Sequence, residues 1–127
     1  MTTGDALTYS IPGGRQAASE ARAVVTEALA TRLDDDRLAD VRLLVSELVT
    51  NGVLHGDALD DDETLTLRIA TNAMLHVDVI DHGNGFLPGA LTRDPIGGWG
   101  LRLVEALADR WGVTREGSTR VWFEMAV

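Results

Sequence analysis

The chain has 127 residues, of which 45% are apolar and 24% are charged, so a single domain with a real core is expected. It contains no cysteine, which excludes disulfides and thiolate metal sites and fits a reducing compartment. The formal net charge of -9 would repel nucleic acid and anionic membranes, so we expect neither as a partner. No export signal and no apolar run of the roughly 20 residues that a membrane helix needs is recognisable, so a cytoplasmic protein is expected.

The spacing of apolar residues predicts eight elements of secondary structure. In chain order they are a strand at 7–11, helices at 15–31 and 36–55, strands at 65–69 and 75–79, a helix at 99–109, and strands at 111–115 and 119–126. The fourth and fifth elements pair as one hairpin and the last two as another. Segregated hairpins predict a mostly antiparallel sheet with helices packed on one face, an α+β fold of two layers.

The segment 82–98 holds five glycines and two prolines in seventeen residues. A connection of this length is unusual inside a compact domain and is more often functional than structural. We therefore expect this segment to be functional.

The second predicted helix carries polar residues on an otherwise apolar surface. Glu47, Asn51 and His55 are four residues apart and share one stripe. Because the remaining surface is apolar almost all round, a largely buried helix is predicted, and a buried glutamate is costly unless it is paired or meets a ligand. The alternatives are an ordinary exposed pair for Glu47 and Asn51, and a helix-end residue at the negative pole of the dipole for His55.

The strand at 75–79 leads into a carboxylate. Val77, Val79 and Asp81 share one face by the period of two, and Gly83 and Gly85 follow. Glycine lets the backbone approach a flat ligand closely, and a buried carboxylate can accept a hydrogen bond from an amino group such as that of adenine. The alternative is an aspartate that only starts the turn into a glycine-rich loop.

A second glycine cluster precedes and opens the third helix. Gly97, Gly98 and Gly100 leave free N–H groups at a helix start, which is a ready anion site. A plain hinge is the alternative. The P-loop motif is absent, and the glycines after Asp81 miss the dinucleotide-binding spacing by one residue, so neither of those nucleotide sites is expected.

Three blocks together resemble the GHKL ATPase superfamily. They are "LLVSELVTNGVLHG", "VDVIDHGNGF" and "GGWGLRLVEALADRWGV…TRVWFEM", and within that superfamily they resemble the small bacterial anti-sigma factor serine/threonine kinases. The resemblance runs from about Ala17 to the end of the chain. It implies the Bergerat ATP-binding fold, with ATP and Mg²⁺ as cofactors.

The resemblance also implies roles for single residues. Asp81 matches the aspartate that accepts a hydrogen bond from the adenine amino group, and Gly83 and Gly85 match the glycines flanking the base. Asn51 matches the asparagine that ligates Mg²⁺. Glu47 matches the proposed general base, which is the catalytic residue.

The phosphates have their own expected contacts. By the same resemblance, the segment 82–98 is expected to form a closing lid, and Gly98 and Gly100 match the glycines whose backbone cradles the phosphates beneath it. Arg102, in the first turn of the third helix, and Arg93, in the lid, are the basic candidates for phosphate contact.

The chain departs from the family pattern at two points. Gly52 follows Asn51 where alanine is usual, which loosens that helix end. Arg120 stands at the position where the family has a threonine near the adenine aspartate, and Thr119 is one step off. The two residues lie on opposite faces of the predicted strand, so which of them contacts the nucleotide is left open.

Two functions remain in competition. In the first, the protein is a kinase that phosphorylates a serine or threonine of an anti-sigma factor antagonist, with a sigma factor as the alternative binding partner. In the second, it is an ATP-dependent sequestering module with little or no phosphoryl transfer. The presence of Glu47 beside Asn51 favours the kinase, because a pure binder has no need of the glutamate. The sequence leaves a homodimer open.

Overall fold

The computed structural model describes residues 6–55, 64–81, 98–116 and 118–126. The elements are β1 (Ala6–Pro12), α1 (Ala17–Leu29), α2 (Asp35–His55), β2 (Thr64–Thr71), β3 (Met74–Asp81), α3 (Gly98–Leu107), β4 (Arg110–Glu116) and β5 (Ser118–Ala126). All eight predicted elements are confirmed, and their ends differ from prediction by at most two residues. The proposed lid at 82–98 lies outside the described residues, apart from Gly98.

The start of α2 follows directly from its sequence. The Asp34 side chain accepts a hydrogen bond of 2.7 Å from the backbone N–H of Arg37, which satisfies one of the free donors of the first turn. Asp35 and Asp36 also lie in that first turn, where their negative charges interact favourably with the helix dipole. The acidic run at the start of α2 therefore fixes where the helix begins.

The five strands form one sheet in the order β1-β2-β3-β5-β4, and every neighbouring pair is antiparallel. β5 is thus inserted between β3 and β4. The chain leaves β3, passes through α3, adds β4 at the edge and returns as β5 against β3. This return brings the end of β3 and the start of β5 side by side.

The core lies between the sheet and the helices. Alternate strand residues point to it, and we call this face of the sheet the inner face. Its fully buried members are Leu65, Leu67, Ile69, Leu75, Val77, Val121 and Phe123. These residues pack with Val41, Leu44, Val45, Leu48 and Val49 of α2 in one hydrophobic core. The two-layer α+β architecture with helices on one face is confirmed.

The opposite, outer face of the sheet carries a continuous chain of polar contacts, which we call the outer-face chain. Arg110 pairs with Glu124 at 2.6 Å, and Glu124 meets the His76 ring at 3.0 Å. The other ring nitrogen of His76 lies 3.0 Å from Asp78, and Asp78 accepts a hydrogen bond of 2.5 Å from Arg120. The His76 ring therefore lies between two carboxylates, with one ring nitrogen 3.0 Å from each.

An aromatic side chain covers this network. The Trp122 ring stacks on the His76 ring with centroids 5.5 Å apart and an interplanar angle of 16°. It also lies across Gly112, where a Cβ atom would come within 2.8 Å of the indole. Glycine at position 112 is therefore what allows Trp122 to lie flat over the sheet.

The outer-face chain perturbs Glu124. The hydrogen bond from the His76 ring holds the pKa of the Glu124 carboxyl below its ordinary value of 4.5, and the positive charge of Arg110 acts in the same direction, while burial opposes both. A carboxyl with a depressed pKa stabilises the folded state at pH values above its unfolded pKa. That contribution is lost as the pH falls through the folded pKa.

We therefore expect Glu124→Gln to lower the free energy of unfolding at about pH 7 and to have a progressively smaller effect as the pH falls below the ordinary glutamate value of 4.5. Urea unfolding of both proteins across that range measures it. Glu105→Gln, at an exposed position on α3, makes the same change in net charge and should show no such trend. A Glu124→Gln effect that is constant or grows on acidification would contradict the assignment.

Candidate functional site

Polar side chains are rare in the interior of the described residues. Those buried are Asn51, Asp78, Asp81 and Thr119, each at most 3% exposed. Asp78 belongs to the outer-face chain. The other three lie on the core side of the sheet, and we call them the inner polar cluster.

Asp81 and Thr119 lie at the ends of two neighbouring rows of inner-face residues, one on β3 and one on β5. The row of β3 runs through Val77 and Val79 to Asp81, and the row of β5 runs back through Val121 to Thr119. In the β3–β5 register, Asp81 and Thr119 are direct partners. The sheet thus places a carboxylate and a hydroxyl side by side, both buried, where the apolar core ends.

The third member, Asn51, comes from α2, which packs against both β3 and α3. Its Nδ2 atom is buried and has no hydrogen-bond partner among the described residues, and the same is true of the Oγ1 atom of Thr119. A buried donor without a partner costs about 1–3 kcal/mol, and such groups are uncommon in native structures. Two of them in the inner polar cluster fit a site whose polar atoms are satisfied by a ligand.

Glu47 lies one turn before Asn51 on the same stripe of α2 and is half-buried. The prediction that α2 is apolar nearly all round and buried is wrong on one side, since Leu43 is 42% exposed. The reason is that α1 and the sheet cover only part of the helix surface. Glu47 is therefore accessible to solvent, whereas Asn51 is buried. An accessible position suits a side chain that has to contact a second substrate.

The predicted phosphate contacts are described only in part. Gly98 begins α3 and Gly100 lies in its first turn, so the backbone N–H groups of this helix start are intrahelically unsatisfied, as predicted. Arg102 is exposed on the same helix. Gly83 and Gly85 lie outside the described residues. His55 ends α2, as expected for a helix-end residue.

The structure answers which of two neighbours faces the inner polar cluster. Thr119 is on the inner face beside Asp81, whereas Arg120 reaches over the outer face to Asp78. Sequence reasoning placed them on opposite faces without deciding which face was which. The alternation of Val121, Phe123 and Met125 along β5, extended back by two residues, would have predicted that Thr119 faces the core.

No group of three or more His, Cys, Asp or Glu side chains able to hold a metal exists among the described residues. Mg²⁺ commonly binds through one or two protein oxygens and otherwise through substrate phosphates and water. The carboxamide of Asn51 offers one such oxygen in the inner polar cluster. These residues therefore fit an ion that arrives with a polyphosphate and do not form a cage of their own.

The chain belongs to the family of histidine kinase-like ATPase domains, which it matches over residues 12–125. The match takes in α2, β3, α3 and β5, the elements that carry the predicted site. ATP is accordingly the nucleotide that this domain binds.

Among solved structures, the chain is similar to that of the RsbU and RsbW domains of Rv1364c from Mycobacterium tuberculosis, with a TM-score of 0.73 and 24% identity. The similarity covers 96% of this chain and 32% of that one, so this chain spans about a third of the length of its solved relative. It establishes the fold. No curated protein matches the sequence significantly. Within the described residues, no helix is long and apolar enough to cross a membrane.

The buried hydroxyl of Thr119, for which the described residues offer no hydrogen-bond partner, leads to a stability prediction. Thr119→Val removes a buried polar atom and keeps the side-chain shape, so the ligand-free protein should be unchanged or more stable, by up to about 1 kcal/mol. Urea unfolding measures this. Val121→Thr, which adds a hydroxyl to the same inner row, should instead destabilise. A marked loss of stability in Thr119→Val would show that the hydroxyl has a partner in the protein.

Proposed function

We propose that this protein is an ATP-dependent serine/threonine kinase of the anti-sigma type, which phosphorylates a small anti-sigma factor antagonist. The observation that carries the proposal is the inner polar cluster: Asn51 and Thr119 hold buried polar atoms without hydrogen-bond partners among the described residues, and Thr119 is paired with Asp81 at the end of the β3–β5 ladder. Membership of an ATPase family and the three sequence blocks support ATP as the ligand of that cluster.

The adenine base is proposed to bind at the ends of β3 and β5. The Asp81 carboxylate accepts a hydrogen bond from the adenine amino group. The adjacent Thr119 hydroxyl forms a hydrogen bond with the base or with a bound water. A site built on buried hydrogen-bonding groups discriminates strongly, because a base lacking the matching group leaves them unpaired. Gly83 and Gly85 let the backbone pass close to the base.

The phosphates are proposed to extend from this base site toward the start of α3. Gly98 and Gly100 lie where helix N–H groups are free to bind anions, and Arg102 adds a positive charge on the same helix. The Asn51 oxygen would hold Mg²⁺, which supplies charge neutralisation at the phosphates when bound. A chain with a net charge of -9 needs such local positive groups to hold a polyphosphate.

In the proposed reaction a serine or threonine hydroxyl of the partner attacks the γ-phosphorus of ATP. Glu47 accepts the hydroxyl proton while the new oxygen–phosphorus bond forms, and the bond to the β,γ-bridging oxygen breaks to release ADP. The half-buried position of Glu47 supports this role, because the incoming hydroxyl must reach it from the protein surface. Asn51, one helical turn away on α2, would hold the Mg²⁺ that neutralises the phosphates.

Asp81→Asn tests the base site. Replacing the acceptor carboxylate by an amide should weaken ATP binding by roughly 10–100-fold, the equivalent of about 1.5–3 kcal/mol for a hydrogen bond to a charged group. Isothermal titration calorimetry measures it. Asp36→Asn, an exposed aspartate of α2, makes the same charge change as a control. Unchanged affinity in Asp81→Asn would refute the adenine assignment.

Glu47→Gln separates the kinase from an ATP-dependent sequestering module. With labelled ATP, Mg²⁺ and antagonist proteins from the same organism, we expect transfer to a partner serine or threonine that falls by roughly 10²–10⁴-fold in the variant. ATP affinity should remain within about twofold. Glu27→Gln, on the exposed side of α1, serves as the control. Tight ATP binding by the unmodified protein without transfer to any partner would favour the sequestering module.

A further inference from the structure

The pair formed by Asp78 and Arg120 has no part in the site just described, because it lies on the outer face of the sheet. Its location along the strands is nevertheless close to that site. Arg120 is the next residue after Thr119, and Asp78 precedes Asp81 by three residues on β3. The same two strands thus carry the inner polar cluster on one face and this ion pair on the other.

The register shows how the pair spans the two strands. Arg120 is opposite Ile80, and Asp78 is opposite Trp122, so the contact between Arg120 and Asp78 runs diagonally across the β3–β5 ladder. The last pairing of that ladder is the one between Asp81 and Thr119. Strand ends are the least restrained part of a ladder, and side-chain pairs across the strands add to their stability. The diagonal contact lies just inside this end.

Because Asp78 is buried, its carboxylate depends on the contact with Arg120. Asp78 is 1% exposed although it lies on the outer face, and its Oδ1 atom accepts hydrogen bonds from both Arg120 and His76. A buried carboxylate that loses a charged partner is strongly disfavoured, so the strands must keep the spacing that lets Arg120 reach it. His76 is itself held by Glu124, which fixes the second contact to Asp78.

We propose that Arg120 is a positioning residue for the adenine subsite. Held by Asp78, it keeps the ends of β3 and β5 together, so that Asp81 and Thr119 stay in register on the inner face. It acts from the far side of the sheet and touches neither nucleotide nor ion. The inference rests on the proposed function, in that Asp81 is taken to accept a hydrogen bond from the adenine amino group.

The test compares ATP with inosine triphosphate, which has an oxygen in place of the adenine amino group. The quantity measured by calorimetry is the ratio of their dissociation constants, which reports the placement of Asp81 and is insensitive to a uniform loss of folded protein. We expect Arg120→Met to reduce the preference for ATP by about tenfold. Arg120→Lys, which retains the charge without the planar guanidinium, should restore part of it.

A matched control lies on the same face. Arg110→Met also removes one arginine from an ion pair. Its partner is the carboxylate of Glu124 on β5, and the pair lies at the opposite end of the outer-face chain. We expect it to lower the midpoint of thermal unfolding while leaving the ATP preference within about twofold of the original. If Arg120→Met does not fold, Arg120→Lys alone decides, since its preference should then lie below that of Arg110→Met.

The outcomes separate the two levels of the proposal. A preference for ATP that survives in the Arg120 variants, or that falls equally in Arg110→Met, overturns the positioning role and leaves the adenine site in place. An unmodified protein that binds the two nucleotides equally overturns the adenine site, and the positioning role with it.

Discussion

The antiparallel pairing of β3 with β5 is the constraint on which the rest of the structure depends. These strands are not consecutive in the chain, and their pairing closes the long connection that includes α3 and β4. It places Asp81 opposite Thr119 at the end of the ladder. Without this pairing the sheet would lack its centre, and the two buried polar side chains of the site would not meet.

Strict alternation along these two strands gives each face of the sheet its own chemistry. In the sequence VDVID of β3, the valines and Asp81 point to the helices, while Asp78 points away from them. On β5, Thr119, Val121 and Phe123 are inner, and Arg120 and Glu124 are outer. A shift of one residue in the β3–β5 register would exchange the two faces and bury the charges in the core. The apolar rows therefore fix the register, and the register fixes the polar contacts on both faces.

Local patterns were sufficient to predict the elements, because periods of two and of 3.6 residues reflect which side of a strand or helix is buried. They also placed Glu47 and Asn51 on one stripe of α2. They could not show that β5 lies between β3 and β4, since strand order depends on contacts between residues distant in sequence. That order is what places the inward-facing Thr119 directly beside Asp81.

The exposure of Leu43 is a second feature that depends on tertiary contacts and that the local sequence pattern does not predict. An apolar residue on an otherwise apolar helix predicts burial, but burial requires a neighbouring element, and the surface of α2 at Leu43 is not covered within the described residues. Composition cannot indicate how far a neighbour extends. The consequence matters for function, because the stripe with Glu47 borders this uncovered side and remains reachable.

The two faces of the central strand pair differ in how completely their polar groups are satisfied. On the outer face, Arg110, Glu124, His76, Asp78 and Arg120 each have a polar partner within 3.0 Å. On the core side, Asn51 and Thr119 hold buried polar atoms with no hydrogen-bond partner in the part of the chain that the structure describes. The same strands can evidently position side chains to satisfy buried polar groups. A ligand that supplies the missing hydrogen bonds would explain the unsatisfied pair, and membership of an ATPase family supports the proposal that this ligand is a nucleotide.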